Sequence, residues 1–295
     1  MNPKLASPYS GLLYGIFAYI VWGLAPIYFK QLTHIPPEEV LSHRAIWSVV
    51  LLTLIVLLTK RWPILRAIIR QPKKFFLLII SALLIGVNWL IFINAVAHDQ
   101  LLAASLGYYI NPLVVILLAV LFLKERLSWR QGVAIGLAAI GVLIQIYLSG
   151  EFPWIALSLA FSFGIYALIR KYISVDAMSG LLIETVVISF FAAYFLFGIE
   201  SQTGNLVENS WSLNLTLMSA GIITTLPLLF YAEATVRINL STLGFLQYIA
   251  PTIMWLLAIF MFNEPFSSTT LLSFGFIWLG LICFSIDGFL KKSRG

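Results

Sequence analysis

Long apolar runs separated by short polar clusters fill almost the whole chain. Read between charged residues and clusters of Pro, Gly and Asn, they form ten segments: 9–29, 40–58, 75–97, 101–123, 131–148, 152–168, 178–197, 213–231, 240–262 and 269–289. A hydrocarbon core ~30 Å thick needs ~20 apolar residues of helix, so each run predicts one membrane-spanning helix. The longest connections are 60–74 and 198–212, and no soluble domain fits between the helices. The first run is too long for a secretory signal and no small-residue cleavage site closes it, so it is read as the first span.

Composition agrees with the pattern. The 295 residues are 61% apolar and 10% charged, with a mean hydropathy of +0.98, against about 45–50% and about 25% for a soluble domain. A cytosolic enzyme, a nucleic-acid binder and a disordered chain are excluded. The one cysteine, Cys283, lies in an apolar run, so neither a disulfide nor a cysteine-based metal site is expected. The pI of 9.4 is explained by where the cations fall. With the N-terminus in the cytoplasm, all but two of the 18 Lys and Arg lie in cytoplasmic segments: Lys4, the 60–74 cluster, Lys124, Arg126, Arg130, Arg170, Lys171, Arg237 and the tail at 290–295. Lys30 is outside and Arg44 is within the second span. By the positive-inside rule both termini are cytoplasmic. The 60–74 stretch, with Trp62, Leu65 and Ile68, is read as an orienting loop, with an amphipathic segment on anionic headgroups as the alternative.

The chain repeats itself. At a shift of 139 residues Tyr109-Ile110-Asn111-Pro112 meets Tyr248-Ile249-Ala250-Pro251, Leu117-Leu118-Ala119 meets Leu256-Leu257-Ala258, and Glu125 meets Glu264. At 141 the stretch from Gly23 to Lys30 resembles that from Gly164 to Lys171. Each unit holds five spans, an odd number, so the second must enter the membrane upside down. The fold expected is an all-α membrane protein of ten transmembrane helices in two inverted five-helix repeats, residues 7–148 and 152–289. That is an architecture of alternating-access transporters, whose site lies at the repeat interface near mid-membrane.

These residues also carry a family resemblance. The paired five-span units, with Tyr-Ile-x-Pro followed by a glutamate closing the span, resemble the EamA units of the drug/metabolite transporter superfamily. Trp22-Gly23-Leu24-Ala25-Pro26, Ser42-His43-Arg44-Ala45, Gly86-Val87-Asn88-Trp89, Leu182-Ile183-Glu184-Thr185 and Ser241-Thr242-Leu243-Gly244-Phe245 resemble, more narrowly, the RarD group, named for chloramphenicol sensitivity. The resemblance implies a ten-helix inner-membrane carrier with cytoplasmic termini. The superfamily moves small metabolites, amino acids and drugs, and for the RarD group no settled substrate is implied.

Intramembrane polar groups are costly and therefore functional candidates. Glu184 lies about six residues into the seventh span, ~9 Å from the cytoplasmic boundary. Burial favours a neutral carboxyl, so a proton taken up in one conformation and released in the other would couple transport to a gradient; a permanent ion pair is the alternative. Arg44 falls on Glu184 at a shift of 140, but their depths separate them by ~15 Å of a ~30 Å core, too far to pair. Arg44 would attract anionic groups or snorkel to the headgroups, and the adjacent His43 is a second coupling candidate. Asn88 and Asn111 near mid-span either face a cavity or join helices. Tyr109, Gln247 and Tyr248 flank the kinking prolines Pro112 and Pro251, and Trp22 adds a flat surface for an aromatic or cationic solute. Glu233 is expected to pair with Arg237, Glu125 and Glu264 to be structural, and Gly132-x-x-x-Gly136 to pack helices closely, with a homodimer as its other use.

The function expected is a secondary-active carrier of a small organic metabolite or drug, driven by a proton or solute gradient. The alternatives are a membrane-embedded enzyme or a channel-like facilitator. No cofactor, metal or catalytic residue is expected. His34, His43 and His98 all lie near the outer face without a metal-site motif, and neither a filter sequence nor a P-loop occurs.

Overall fold

The computed structural model describes residues 8–97, 101–149, 153–198, 201–261, 271–272, 275–280 and 282–284. All regular structure among them is helical. The helices are α1 (Pro8–Phe29), α2 (Pro37–Leu58), α3 (Trp62–Ile69), α4 (Pro72–Ala97), α5 (Leu101–Leu123), α6 (Trp129–Ser149), α7 (Trp154–Ile173), α8 (Ala177–Gly198), α9 (Trp211–Thr235), α10 (Leu240–Leu246) and α11 (Ile249–Phe260), followed by apolar helix within Gly275–Phe284. Among the described residues seven helical segments are long and apolar enough to cross a membrane, one of them, Leu240–Leu257, running through α10 into α11, and shorter apolar segments stand at Gly107–Leu123, Trp129–Ile144 and Gly275–Phe284. Large apolar side chains such as Leu13, Leu58, Phe122, Phe190 and Tyr194 point outward, as suits a protein whose surroundings are hydrocarbon.

Three elements differ from the pattern read along the chain. The ninth run is not one rod: α10 ends at Leu246 and α11 starts at Ile249. Pro251 has no N–H to give the Gln247 carbonyl, and the chain tightens instead, with Ala250 N donating to Gln247 O and Tyr248 N to Phe245 O, each at 3.3 Å. Pro112, at the corresponding position, is absorbed within α5. The 60–74 connection contains a helix, α3, whose Leu65 and Ile68 are buried against Leu52, Val56, Leu78 and Leu182. Third, α7 continues past the expected end at 168 to Ile173, stopping at Ser174 in a left-handed conformation (φ 44°). Arg170 and Lys171 therefore lie in the helix rather than in a loop. The tail at 290–295, Lys4, His98 and Glu264 lie outside the described residues.

The packing between the two halves comes in matched pairs. α1 packs on α9 and α7 on α4; α2 packs on α9 and α8 on α4; α1 packs on α11 and α7 on α5. The contacts α2 with α8 and α5 with α10 are their own counterparts. At residue level, a Cβ on Gly23 would stand 2.8 Å from Ile253 Cβ, and one on Gly164 2.8 Å from Val114 Cγ1. These are corresponding residues of the two repeats, and the missing side chains let the helices approach closely.

The ends of the α2–α8 pair are fastened by carboxylates. At one end Glu39 accepts hydrogen bonds from Gln202 N (2.8 Å), Thr203 N (2.9 Å) and the Thr203 hydroxyl. At the other, Asp176 pairs with Arg61 and accepts from Ser179 N at 3.0 Å. Glu125 takes the first N–H groups of α10, Leu240 N at 2.8 Å and Ser241 N at 3.0 Å, a helix-capping role. Glu233 pairs with Arg237 one turn along α9 and its C-terminal end.

Candidate functional site

The two ends of the interior carry different charge arrangements. Toward the end formed by the C-terminus of α7 and the start of α8, the α7 residues Phe163, Tyr166 and Arg170 recur at helical spacing and share a face. Arg170 Nη1 is 3.5 Å from Glu184 Oε1, with the two side chains 2% and 0% exposed. Ser81 of α4 donates its hydroxyl to the same carboxylate oxygen. Around the pair, Tyr231 stacks on Tyr166 with centroids 6.3 Å apart and contacts Tyr19 and Trp22 at 6.2 and 5.6 Å. Phe163 closes the group against Trp22 and Tyr231. Glu184 Oε2 and the hydroxyls of Tyr19, Tyr166 and Tyr231 are buried with no hydrogen-bond partner among the described residues. Buried polar groups are rarely left so, and here these four, with Arg170 Nη1 as a fifth, belong to one cluster spanning α1, α7, α8 and α9.

Arg170 was expected to be a cytoplasmic loop cation, and it is not: it lies inside the protein as the partner of Glu184. Hydropathy hid it, because it adjoins Lys171 at the end of an apolar run. Helical spacing from Tyr166 and Phe163 was the available signal. Taking two charges out of water costs several kcal/mol per ion, and removing one partner of such a pair costs about 3–5 kcal/mol. The pair thus adds little net stability but is costly to break.

Arg44 is on the other side of the interior and does not join Glu184. Its Nε donates to the Thr224 hydroxyl of α9 at 2.9 Å. Its guanidinium carbon lies 5.0 Å from the Phe29 ring centroid and 4.9 Å from that of Trp89. Desolvated cation–π contacts of this kind contribute about 2 kcal/mol each. The Tyr108 and Tyr28 phenols are near enough to interact with it electrostatically, and Tyr28 donates to Thr216 O at 2.5 Å. The side chain is 8% exposed and directed inward, toward α1, α4 and α9. His43 turns elsewhere: its Nε2 is 3.1 Å from Thr203 Oγ1, beside Glu39.

The remaining candidates divide by what they touch. Asn88 Nδ2 donates to Leu159 O and Ser162 Oγ, both at 2.9 Å, joining α4 to α7. Tyr248 OH donates to Tyr109 O at 3.3 Å, so these corresponding tyrosines meet each other where α5 crosses the second proline-bearing segment. Gly244 lets α10 come down on Pro112, whose carbonyl oxygen a Cβ there would meet at 3.2 Å. Asn111 Oδ1 and Gln247 Oε1, on these same two segments, are buried without a hydrogen-bond partner among the described residues. Pro251 is buried beside them. Gly132 and Gly136 depart from expectation: a Cβ on either would meet nothing within 4 Å, so this face of α6 packs on no described helix. Among the described residues no three His, Cys, Asp or Glu side chains gather as metal ligands.

An apolar helical bundle with this many helices long enough to cross the hydrocarbon is that of a multi-pass membrane protein. The chain belongs to the EamA-like transporter family, whose profile matches residues 9–147 and again 153–286. Within it the chain groups with the proteins named RarD. It is 46% identical to "Protein RarD" of Escherichia coli, over 96% of both chains. It is 48% identical to an "Uncharacterized transporter" of Vibrio cholerae, over 98% of this chain and 96% of that one. A solved chain described as "Crystal structure of protein" superposes with a TM-score of 0.73 at 18% identity, over 94% of this chain and 97% of its own, and so shares the fold.

Proposed function

We propose that the protein is a secondary-active carrier of a small organic metabolite or drug, working by alternating access. In this reading ten transmembrane helices form two inverted five-helix repeats, residues 7–148 and 152–289, in the plasma (inner) membrane with both termini cytoplasmic. α10 and α11 together make the ninth span, and α3 lies outside the ten. The observation that carries the reading is the reciprocity of the packing: the main contacts between halves, α1 with α9, α2 with α9 and α1 with α11, each have a partner obtained by exchanging the halves. Such a pair of equivalent surfaces can exchange conformations, opening one face as the other closes.

Glu184 is the coupling group in this proposal. Its carboxylate is held by Arg170 and Ser81 in the closed cluster. When α7 and α8 part to open the inner face, the carboxylate loses its cation and takes a proton, and re-closure expels it. Proteoliposomes with an imposed proton gradient, loaded with a metabolite extract and analysed by mass spectrometry, test the reading. The wild type should move a defined solute faster with the gradient than without, and Glu184→Gln should lose that acceleration. Equal acceleration in the variant removes Glu184 from coupling, and no solute movement at all removes the carrier reading.

A further inference from the structure

The interior charges are balanced in one half and not in the other. In the second half Arg170 is met by Glu184. At the corresponding positions of the first half stand Phe29 and Arg44, a cation against a ring. Among the described residues the ion pairs are those of Arg61, Arg170 and Arg237, and Arg44 has none. Among the described residues only one edge of its guanidinium is used, Nε to Thr224. Its guanidinium carbon lies over the Phe29 and Trp89 rings, 5.0 and 4.9 Å from their centroids, which confines the fork between them. A guanidinium flanked by two rings and bound at Nε keeps its terminal N–H groups for the two oxygens of a carboxylate or phosphate, taken side by side.

We propose that Arg44 is the recognition site for an oxyanion group of the transported solute, with Phe29 and Trp89 orienting the guanidinium and Thr224 fixing its Nε edge. The substrate class is thus an organic anion, a carboxylate or a phosphate ester. This rests on the carrier reading for its purpose, but binding is measured apart from transport. A solute anion supplies the first half with the countercharge that Glu184 supplies in the second. Loading then neutralises the one interior cation that lacks a partner of its own.

The test uses the full chain in phosphatidylcholine nanodiscs, with benzoate and phenyl phosphate as probes and benzamide and benzyl alcohol as neutral controls. Thermal unfolding and ligand-observed NMR should report binding of the anions at least ten-fold tighter than of the neutral controls. Arg44→Gln should abolish that preference, whereas Arg44→Lys, which keeps the charge without the fork, should retain a weakened one. Thr224→Val should weaken anion binding several-fold with the fold intact by size-exclusion chromatography. Equal binding of anions and controls, no anion binding, or an undiminished preference in folded Arg44→Gln overturns the proposal. Displacement of benzoate by phosphatidylglycerol assigns the cation to a headgroup and also overturns it. Transport in the metabolite-loaded vesicles is a separate arm: flux confined to neutral or cationic solutes overturns the anion class and leaves the carrier standing. Anion binding without any flux overturns the carrier and leaves the binding site standing.

Discussion

The Arg170 guanidinium stands 3.5 Å from the Glu184 carboxylate in an environment from which both side chains are almost wholly shielded. They come from successive spans joined by a turn, and Ser81 reaches the same carboxylate from a third. Three helices thus depend on one carboxylate. The desolvation cost of the two charges makes this a poor way to gain stability.

The first prediction concerns that dependence. Glu184→Gln leaves Arg170 buried without countercharge and should lower stability by about 3 kcal/mol, and Arg170→Gln should cost a similar amount. The double variant should be less destabilised than the sum of the two, since neither charge is then stranded. Thermal melts of the four proteins in one detergent give the coupling, and strict additivity would show that the two residues do not act as a pair.

Asn88 separates packing from pathway. Asn88→Leu removes both hydrogen bonds to α7 and should lower stability by about 1 kcal/mol without changing the apparent KM of flux. A KM raised several-fold at unchanged stability would move Asn88 into the pathway.

Two glycines make a contrast that the fold explains. A Cβ on Gly221 would stand 2.6 Å from the backbone carbon of Trp47, whereas one on Gly136 would meet nothing within 4 Å. Gly221→Ala should therefore cost about 1–3 kcal/mol through displacement of α2, while Gly136→Ala should be neutral or stabilising by up to about 1 kcal/mol from helix propensity. Unfolding midpoints of the two variants check this directly.

The orientation is open to a labelling test. Val207, in the loop after α8, is 92% exposed, and Lys73 lies at the start of α4 among the cations that the proposed topology places in the cytoplasm. On a Cys283→Ser background, Val207→Cys should react with a membrane-impermeant maleimide from outside the inner membrane. Lys73→Cys should react only after permeabilisation. The reverse pattern would invert the topology.

Helix existence and approximate helix positions were legible in the sequence because they depend on local quantities. Apolar length sets a span. The end of α7 was not legible, since a helix cap and tertiary contacts to α8 and α9 decide whether Arg170 is in water or in protein. The break at Gln247 and Tyr248 was only half legible: Pro251 marks it, yet Pro112 in the same motif leaves α5 continuous. Gly132 and Gly136 looked like packing residues, but nothing local says which side of a helix meets a neighbour.

For the candidate site the division is similar. The sequence alone singled out Arg44 and Glu184, because a charge in an apolar run is conspicuous wherever it points, and depth alone kept them apart. Only the tertiary structure decided that Glu184 has a cation and Arg44 does not. Pairing depends on which helix faces which, and that is fixed by the packing of residues such as Gly23 and Gly164 against the opposite half rather than by any feature within reach of the charges along the chain.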